Sequence, residues 1–158
     1  MKHVKNLAGM ILIGAMMEYL VIPGESLALA SLITGMPPSI TLDDWLHKWG
    51  TFATITIATG LATFLLWYAI GIWSNPDFTA QSSKRPIWIV LLIFPLLVAV
   101  STPFLLPDAS SKWLAVLFLG FNAVFTYWLV SAGFSPSRVK TAPVAGEKVR
   151  KVTDALPF

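Results

Sequence analysis

Four apolar stretches, each close to the length that crosses a bilayer, constrain this sequence more than any other feature. A spanning helix needs about 20 mostly apolar residues at 1.5 Å rise per residue. The sequence predicts such helices over residues 4–22, 49–73, 86–106 and 113–134. Charged residues make up only 12% of the chain, against about a quarter in soluble domains. We therefore predict an all-α integral membrane four-helix bundle, with a transmembrane domain over 1–134.

Tryptophans lie near the ends of these stretches. Indole rings prefer the headgroup boundary, where the ring is half buried and its N–H is hydrated. Six of the seven tryptophans occupy such positions, and only Trp67 lies well inside a stretch; the six are Trp45, Trp49, Trp73, Trp88, Trp113 and Trp128. We expect these six to mark the bilayer boundaries.

Basic residues are divided unequally between the two sets of flanking segments. Nine of the eleven lie in the N-terminal flank, the loop between stretches two and three, and the C-terminal tail, whereas the other loops hold only Lys48 and Lys112. The positive-inside rule therefore predicts that both termini are cytoplasmic. Residues 135–158 form a basic cytoplasmic tail, which we expect to be disordered. A bacterial inner membrane fits this bias.

The first stretch allows two interpretations. Pro23 and Gly24 are expected to end its helix at Ile22. Residues 25–33 are too short to span and too apolar for a solvated loop, so they predict a short interfacial helix between spans 1 and 2. Alternatively, the basic N-terminus, the apolar run and the A-x-A sequence at residues 28–30 resemble a cleaved secretory signal.

Polar residues precede the second stretch. Thr41 and Asp44 have the spacing of a capping box in its Asp form, so the second helix should begin before the membrane. Asp43 and His47, four residues apart, could share a helix face and, with Asp44, form an outer polar cluster. Two or three ligands without a fourth are weak evidence for a metal, so we predict none.

Glu18 is the only ionisable residue inside a predicted span. A carboxylate in lipid is costly unless it is paired, hydrated or protonated. Hydroxyls of the second stretch, together with Asn122 and Thr126 of the fourth, are the available partners. We therefore identify Glu18, Asn122 and Thr126 as a candidate intramembrane polar site. The alternative is that Glu18, near the predicted helix end, reaches the headgroups.

Small and hydroxyl-bearing residues recur along the second stretch. Side chains four residues apart fall on one face of a helix, where small residues let a second helix approach closely. The predicted helix-packing face comprises Gly50, Thr54, Ala58, Thr59, Ala62 and Thr63. Packing within the bundle or self-association accounts for this pattern, and a threonine-lined polar path is the alternative.

Several functional classes lack the residues they need. The chain has no cysteine, and its histidines, His3 and His47, lie outside the predicted spans, which excludes thiolate centres and disfavours haem ligation. We predict no cofactor and no nucleic-acid partner.

We expect a non-enzymatic structural or accessory subunit of a larger or self-associating membrane complex. Its partners would be membrane lipids and other membrane subunits, or further copies of the chain. One alternative is a small oligomeric transporter or channel that uses the intramembrane carboxylate. The other is a membrane enzyme acting on a lipid or quinone at the outer interface through Asp43, Asp44 and His47.

Overall fold

A computed structural model describes residues 2–36, 38–73, 84–106, 112–136, 139 and 142–155. All regular secondary structure in these residues is helical, as predicted. The α-helices are α1 (Lys2–Met16), α2 (Ile22–Leu32), α3 (Leu42–Trp73), α4 (Arg85–Ser101), α5 (Lys112–Phe134) and α6 (Gly146–Asp154). A π-helical turn, Met17–Val21, joins α1 to α2, and a 3₁₀ turn, Thr102–Phe104, follows α4.

Three helical stretches in the described residues are long and apolar enough to cross a membrane: His3–Leu32, Leu42–Trp73 and Lys112–Phe134. Helix α4 is apolar but shorter, with 17 residues before its 3₁₀ turn. Helix α5 follows the predicted fourth stretch almost residue for residue. The chain is therefore an all-helical protein with three to four helices suited to a bilayer.

The first helix does not stop at Pro23, and this part of the prediction is wrong. Across the π turn, the Ile22 N–H donates to the Met17 carbonyl, five residues back. Pro23 follows in the first turn of α2, where a missing N–H is tolerated. The helix therefore continues to Leu32. Most of residues 25–33 belong to this continuous helix and do not form a separate interfacial one.

The start of α3 confirms the predicted capping box. The Asp44 backbone N–H donates to Thr41 Oγ1 at 3.1 Å, and the Thr41 hydroxyl donates to Asp44 Oδ2 at 2.7 Å. These bonds satisfy a backbone donor at the helix start. Helix α3 consequently begins at Leu42, ahead of the apolar stretch.

Helix α3 packs against both α4 and α5, and α5 also contacts α1 and α6. Helix α3 lies against α5 at Gly60, where a Cβ would lie 3.4 Å from Thr126 Cγ2. Large aromatic side chains fill the interior along these contacts, among them Trp49, Phe64 and Tyr127, which are fully buried. Small residues at the crossing and large rings elsewhere thus hold the bundle together.

Trp45, Trp49 and Trp88 are buried inside the bundle, so their rings do not contact the headgroups in the way that the boundary preference of indole requires. The Trp49 Nε1–H donates to the Ala115 carbonyl at 3.4 Å, and the Trp88 Nε1–H donates to Ser131 Oγ at 2.8 Å. A protein acceptor replaces interfacial water in each case. Trp73 and Trp113 do face outward, with 84% and 70% of their surface exposed.

The expectation of a disordered tail is wrong for its described part. Helix α6 packs on the end of α5, where the Thr153 hydroxyl donates to the Gly133 carbonyl at 3.0 Å. The Arg150 guanidinium donates to the Ser135 carbonyl. Val139 and Ala142, in the segment that connects α5 to α6, are fully buried. Buried apolar groups and satisfied carbonyls therefore order this basic segment.

The two terminal segments meet at one end of the bundle. A hydrogen bond of 2.6 Å joins His3 Nδ1 to the Tyr68 hydroxyl near the end of α3. Lys5 Nζ donates to the Asp154 carbonyl of α6 at 3.4 Å. Arg85, at the start of α4, donates from Nε to the Ala142 carbonyl at 3.1 Å. Basic residues from three parts of the sequence are thereby collected at the same end.

Candidate functional site

Glu18 lies in the π turn and is paired with a hydroxyl of α3. The Thr54 hydroxyl donates to Glu18 Oε1 at 2.8 Å. Thr54 is exposed and Glu18 is half-buried, so the pair lies on the outer surface of the bundle. A hydroxyl of the second stretch was one of the expected partners. Asn122, another expected partner, is bonded to a different carboxyl group.

That carboxyl group belongs to Glu25, which the sequence analysis placed outside the spans. The Asn122 Nδ2 donates to Glu25 Oε2 at 2.8 Å. Asn122 is fully buried and lies near the midpoint of α5, so the Glu25 side chain reaches the middle of the apolar layer of that helix. The uncharged run over residues 26–33 was the available signal, because it continues the apolar stretch beyond the proline.

Asn122 and Thr126 are brought together on one face of α5, at i and i+4. Both are fully buried, yet Asn122 Oδ1 and Thr126 Oγ1 have no hydrogen-bond partner within the described residues. Leaving such a group unsatisfied costs about 1–3 kcal/mol. Buried polar atoms in folded proteins almost always have a partner, so two orphaned oxygens one turn apart indicate a ligand or water position.

The predicted helix-packing face of α3 is divided by the structure. Gly50, Thr54, Ala58 and Ala62, which we call the small-residue face, are exposed except for a half-buried Gly50. A Cβ built on Gly50 would meet no atom within 4 Å. Of the two remaining residues, Thr59 is half-buried and Thr63 is buried. The small-residue face therefore lies mostly on the outer surface of the bundle, where Thr54 contacts Glu18 of the first helix.

Most threonine hydroxyls of α3 are used by their own helix. They donate to the carbonyl four residues back at 2.8–3.0 Å, in the pairs Thr51 to His47, Thr56 to Phe52, Thr59 to Ile55 and Thr63 to Thr59. Such back-bonding leaves the hydroxyl proton unavailable to a polar path. Thr54 differs because its hydroxyl reaches Glu18 on another helix.

The outer cluster consists of exposed side chains at the start of α3. Asp43, Asp44 and His47 all face away from the bundle. One carboxylate oxygen of Asp44 is engaged in the capping box. Within the described part of the chain, no group of three or more His, Cys, Asp and Glu residues is placed to hold a metal ion.

Comparisons with protein-family models, with curated proteins and with solved structures gave no match to this chain. Function is therefore inferred from the residues and their contacts. The contacts single out two places. One is the outward small-residue face with the Glu18–Thr54 pair, and the other is the interior Glu25–Asn122 pair with Thr126 one helical turn away.

Proposed function

We propose that the chain is a non-enzymatic subunit of a membrane complex, joined to its neighbours through the small-residue face of α3. The observation that supports this proposal most is the outward orientation of Thr54, Ala58 and Ala62 beside the exposed Glu18–Thr54 hydrogen bond. The partner is another copy of the chain or a different membrane subunit.

The energetics of lipid favour this use of the face. Helices in a bilayer associate through close van der Waals packing and polar contacts, since lipid tails provide no hydrophobic drive. Small residues allow a neighbouring backbone to approach, and within the described residues no side chain or other helix lies within 4 Å of a Cβ built on Gly50. A carboxyl group at the lipid surface is unfavourable, so a subunit that covers Glu18 and offers it a hydrogen-bond donor is stabilised there.

The proposal includes a specific membrane arrangement. The continuous first helix, α3, α4 with its 3₁₀ turn, and α5 form four spans. Both termini lie on the cytoplasmic side of a bacterial inner membrane. The grouping of Lys5, Arg85 and Arg150 at one end of the bundle supports this orientation, because basic residues are retained on the cytoplasmic side.

The two alternative functions have less support from the contacts. A transporter that uses the threonines of α3 would need hydroxyls that are free to exchange partners, and four of them bond their own helix. An enzyme at the outer interface would need Asp43, Asp44 and His47 to converge on a substrate. These side chains are exposed, and Asp44 already accepts a capping bond.

Disulfide cross-linking in native membranes tests the proposed interface. Because the chain has no cysteine, Ala58→Cys introduces a single thiol that can form a disulfide only with another chain. The two Cβ atoms must approach within about 4.5 Å, so the reaction reports direct contact. The matched control is Val100→Cys on α4, which is 57% exposed but lies outside the small-residue face.

Self-association predicts that oxidation of Ala58→Cys yields a cross-linked dimer and that Val100→Cys remains monomeric. Association with a different subunit predicts that a photoactivatable thiol reagent on Ala58→Cys yields one larger adduct of defined mass, absent from Val100→Cys. The proposal is contradicted if the two variants give the same products under both treatments.

A further inference from the structure

Asn122 of α5 bonds Glu25 of α2, and Thr126 lies one helical turn from Asn122 on the same face of α5. The Glu25 carboxyl accepts one bond from Asn122 Nδ2 at 2.8 Å. Asn122 Oδ1 and Thr126 Oγ1 lie fully buried with no partner in the described part of the chain. Back-bonding, which satisfies Thr59 and Thr63 on α3, does not occur at Thr126. Three oxygen-bearing side chains are thus available to a ligand.

The chain supplies no positive charge to this carboxyl group from its apolar stretches. The sequence has no Lys, Arg or His in residues 6–32, 49–73, 86–106 or 113–134. A carboxylate in a medium of low dielectric is stabilised by a compensating charge, and a bound cation is one source of that charge.

We propose that Glu25, Asn122 and Thr126 bind one monovalent cation of the size and hardness of Na⁺. Carboxylate, amide carbonyl and hydroxyl oxygens are the ligands that hard cations prefer. A single carboxylate matches a single positive charge, whereas a divalent ion would leave excess charge buried. In the bound form the Asn122 amide turns over, so that Oδ1 joins the Glu25 carboxylate. The terminal torsion of asparagine is broad and permits this rotation.

The π turn of the first helix lies directly before Glu25. This turn, Met17–Val21, widens the backbone ladder, and Pro23 supplies no N–H to the preceding turn. Single π turns inside α-helices occur frequently at functional sites. Glu25 is half-buried, which leaves room for water to complete the coordination shell.

Site-resolved carboxyl labelling tests the proposal on the full-length chain in membrane vesicles. A hydrophobic carbodiimide modifies carboxyl groups within the apolar layer, and fragment masses distinguish Glu25 from Glu18. Labelling is compared in NaCl and in choline chloride at equal ionic strength and pH. We expect Na⁺ to slow the labelling of Glu25. Glu18, on the same continuous helix and bonded to the Thr54 hydroxyl, serves as the internal control and should be unaffected.

Two ligand variants and one matched control complete the experiment. Asn122→Leu and Thr126→Val should each raise the Na⁺ concentration that half-protects Glu25 from labelling by at least about tenfold. Each substitution removes one oxygen ligand from the bound cation. Thr59→Val removes a hydroxyl that bonds the Ile55 carbonyl and should leave protection unchanged. An unaltered labelling rate at Glu18 shows that each variant keeps the fold.

Several results would overturn the proposal. These are equal protection by choline, equal protection of Glu18, a response to pH without a response to Na⁺, and full protection retained in Asn122→Leu. The cation site does not depend on subunit association. Loss of Na⁺ protection therefore leaves the cross-linking result at Ala58 unaffected, and the two proposals fail separately.

Discussion

Gly71→Ala tests the packing of the end of α3 against the segment that follows α5. A Cβ at Gly71 would lie 2.7 Å from Val139 Cγ2 and 2.8 Å from Pro136 Cγ. Carbon atoms at their optimal separation are about 3.5–4.0 Å apart. The Pro136 ring cannot rotate out of the way, so the backbone of the tail must move. We expect the free energy of unfolding to fall by about 1–3 kcal/mol.

Thermal unfolding of the detergent-solubilised chain, followed by tryptophan fluorescence, measures this effect. Gly120→Ala is the matched control, because Gly120 is also helical and a Cβ there meets no atom within 4 Å. Because alanine has a higher helix propensity than glycine, Gly120→Ala should leave the free energy of unfolding unchanged or raise it by up to about 1 kcal/mol. Equal melting temperatures for Gly71→Ala and Gly120→Ala would refute the packing of the tail on α3.

Three further predictions address single contacts. Trp67 Nε1 donates to Ser135 Oγ at 2.7 Å. The effects of Trp67→Phe and Ser135→Ala on the free energy of unfolding should therefore be coupled by about 0.5–1.5 kcal/mol in a double-mutant cycle. Additive effects would contradict that bond. Thr59→Val should change the unfolding free energy by less than about 0.5 kcal/mol, because the hydroxyl bonds its own helix, and a larger loss would reveal a contact between helices. Arg150→Gln should speed trypsin cleavage after Lys148 and Lys151 in α6 by removing the bond to the Ser135 carbonyl, and unchanged cleavage at these two sites would show that this bond does not hold the tail.

The helix bounds that sequence predicted well are those set by local chemistry. The uncharged stretch of residues 113–134 contains no proline, and α5 occupies it almost completely. The start of α3 was predictable because Thr41 and Asp44 form their capping bonds within a few residues. Both outcomes depend on neighbours in the sequence and not on distant parts of the chain.

The first helix was harder to predict because proline does not act alone. Pro23 removes one backbone donor, which ends a helix unless the preceding turn can adapt. Here the Met17–Val21 π turn adapts, so the apolar run continues and Glu25 enters the bundle. The candidate polar site was consequently only partly predicted: Asn122 and Thr126 lie one turn apart, but Asn122 bonds Glu25, whereas Glu18 pairs with Thr54.

Sequence position along a helix also does not fix the direction of a side chain. Trp88 lies at a helix end, as the boundary preference requires, but its indole faces inward because Ser131 offers an acceptor there. The tail shows the same dependence on distant contacts. Its basic composition is typical of disorder, yet the Gly133 carbonyl and neighbouring apolar side chains provide a surface on which α6 folds.

Native mass spectrometry of the intact membrane extract tests the central claim, that the chain is a subunit of a membrane complex, most directly. One chain has a mass of 17.3 kDa. We predict a larger species that contains this chain at a fixed stoichiometry, with itself or with another protein. We also expect Ala58→Leu, which fills the small-residue face, to reduce that species. A chain that stays monomeric in the native extract and in mild detergent, with no protein bound, would contradict the account.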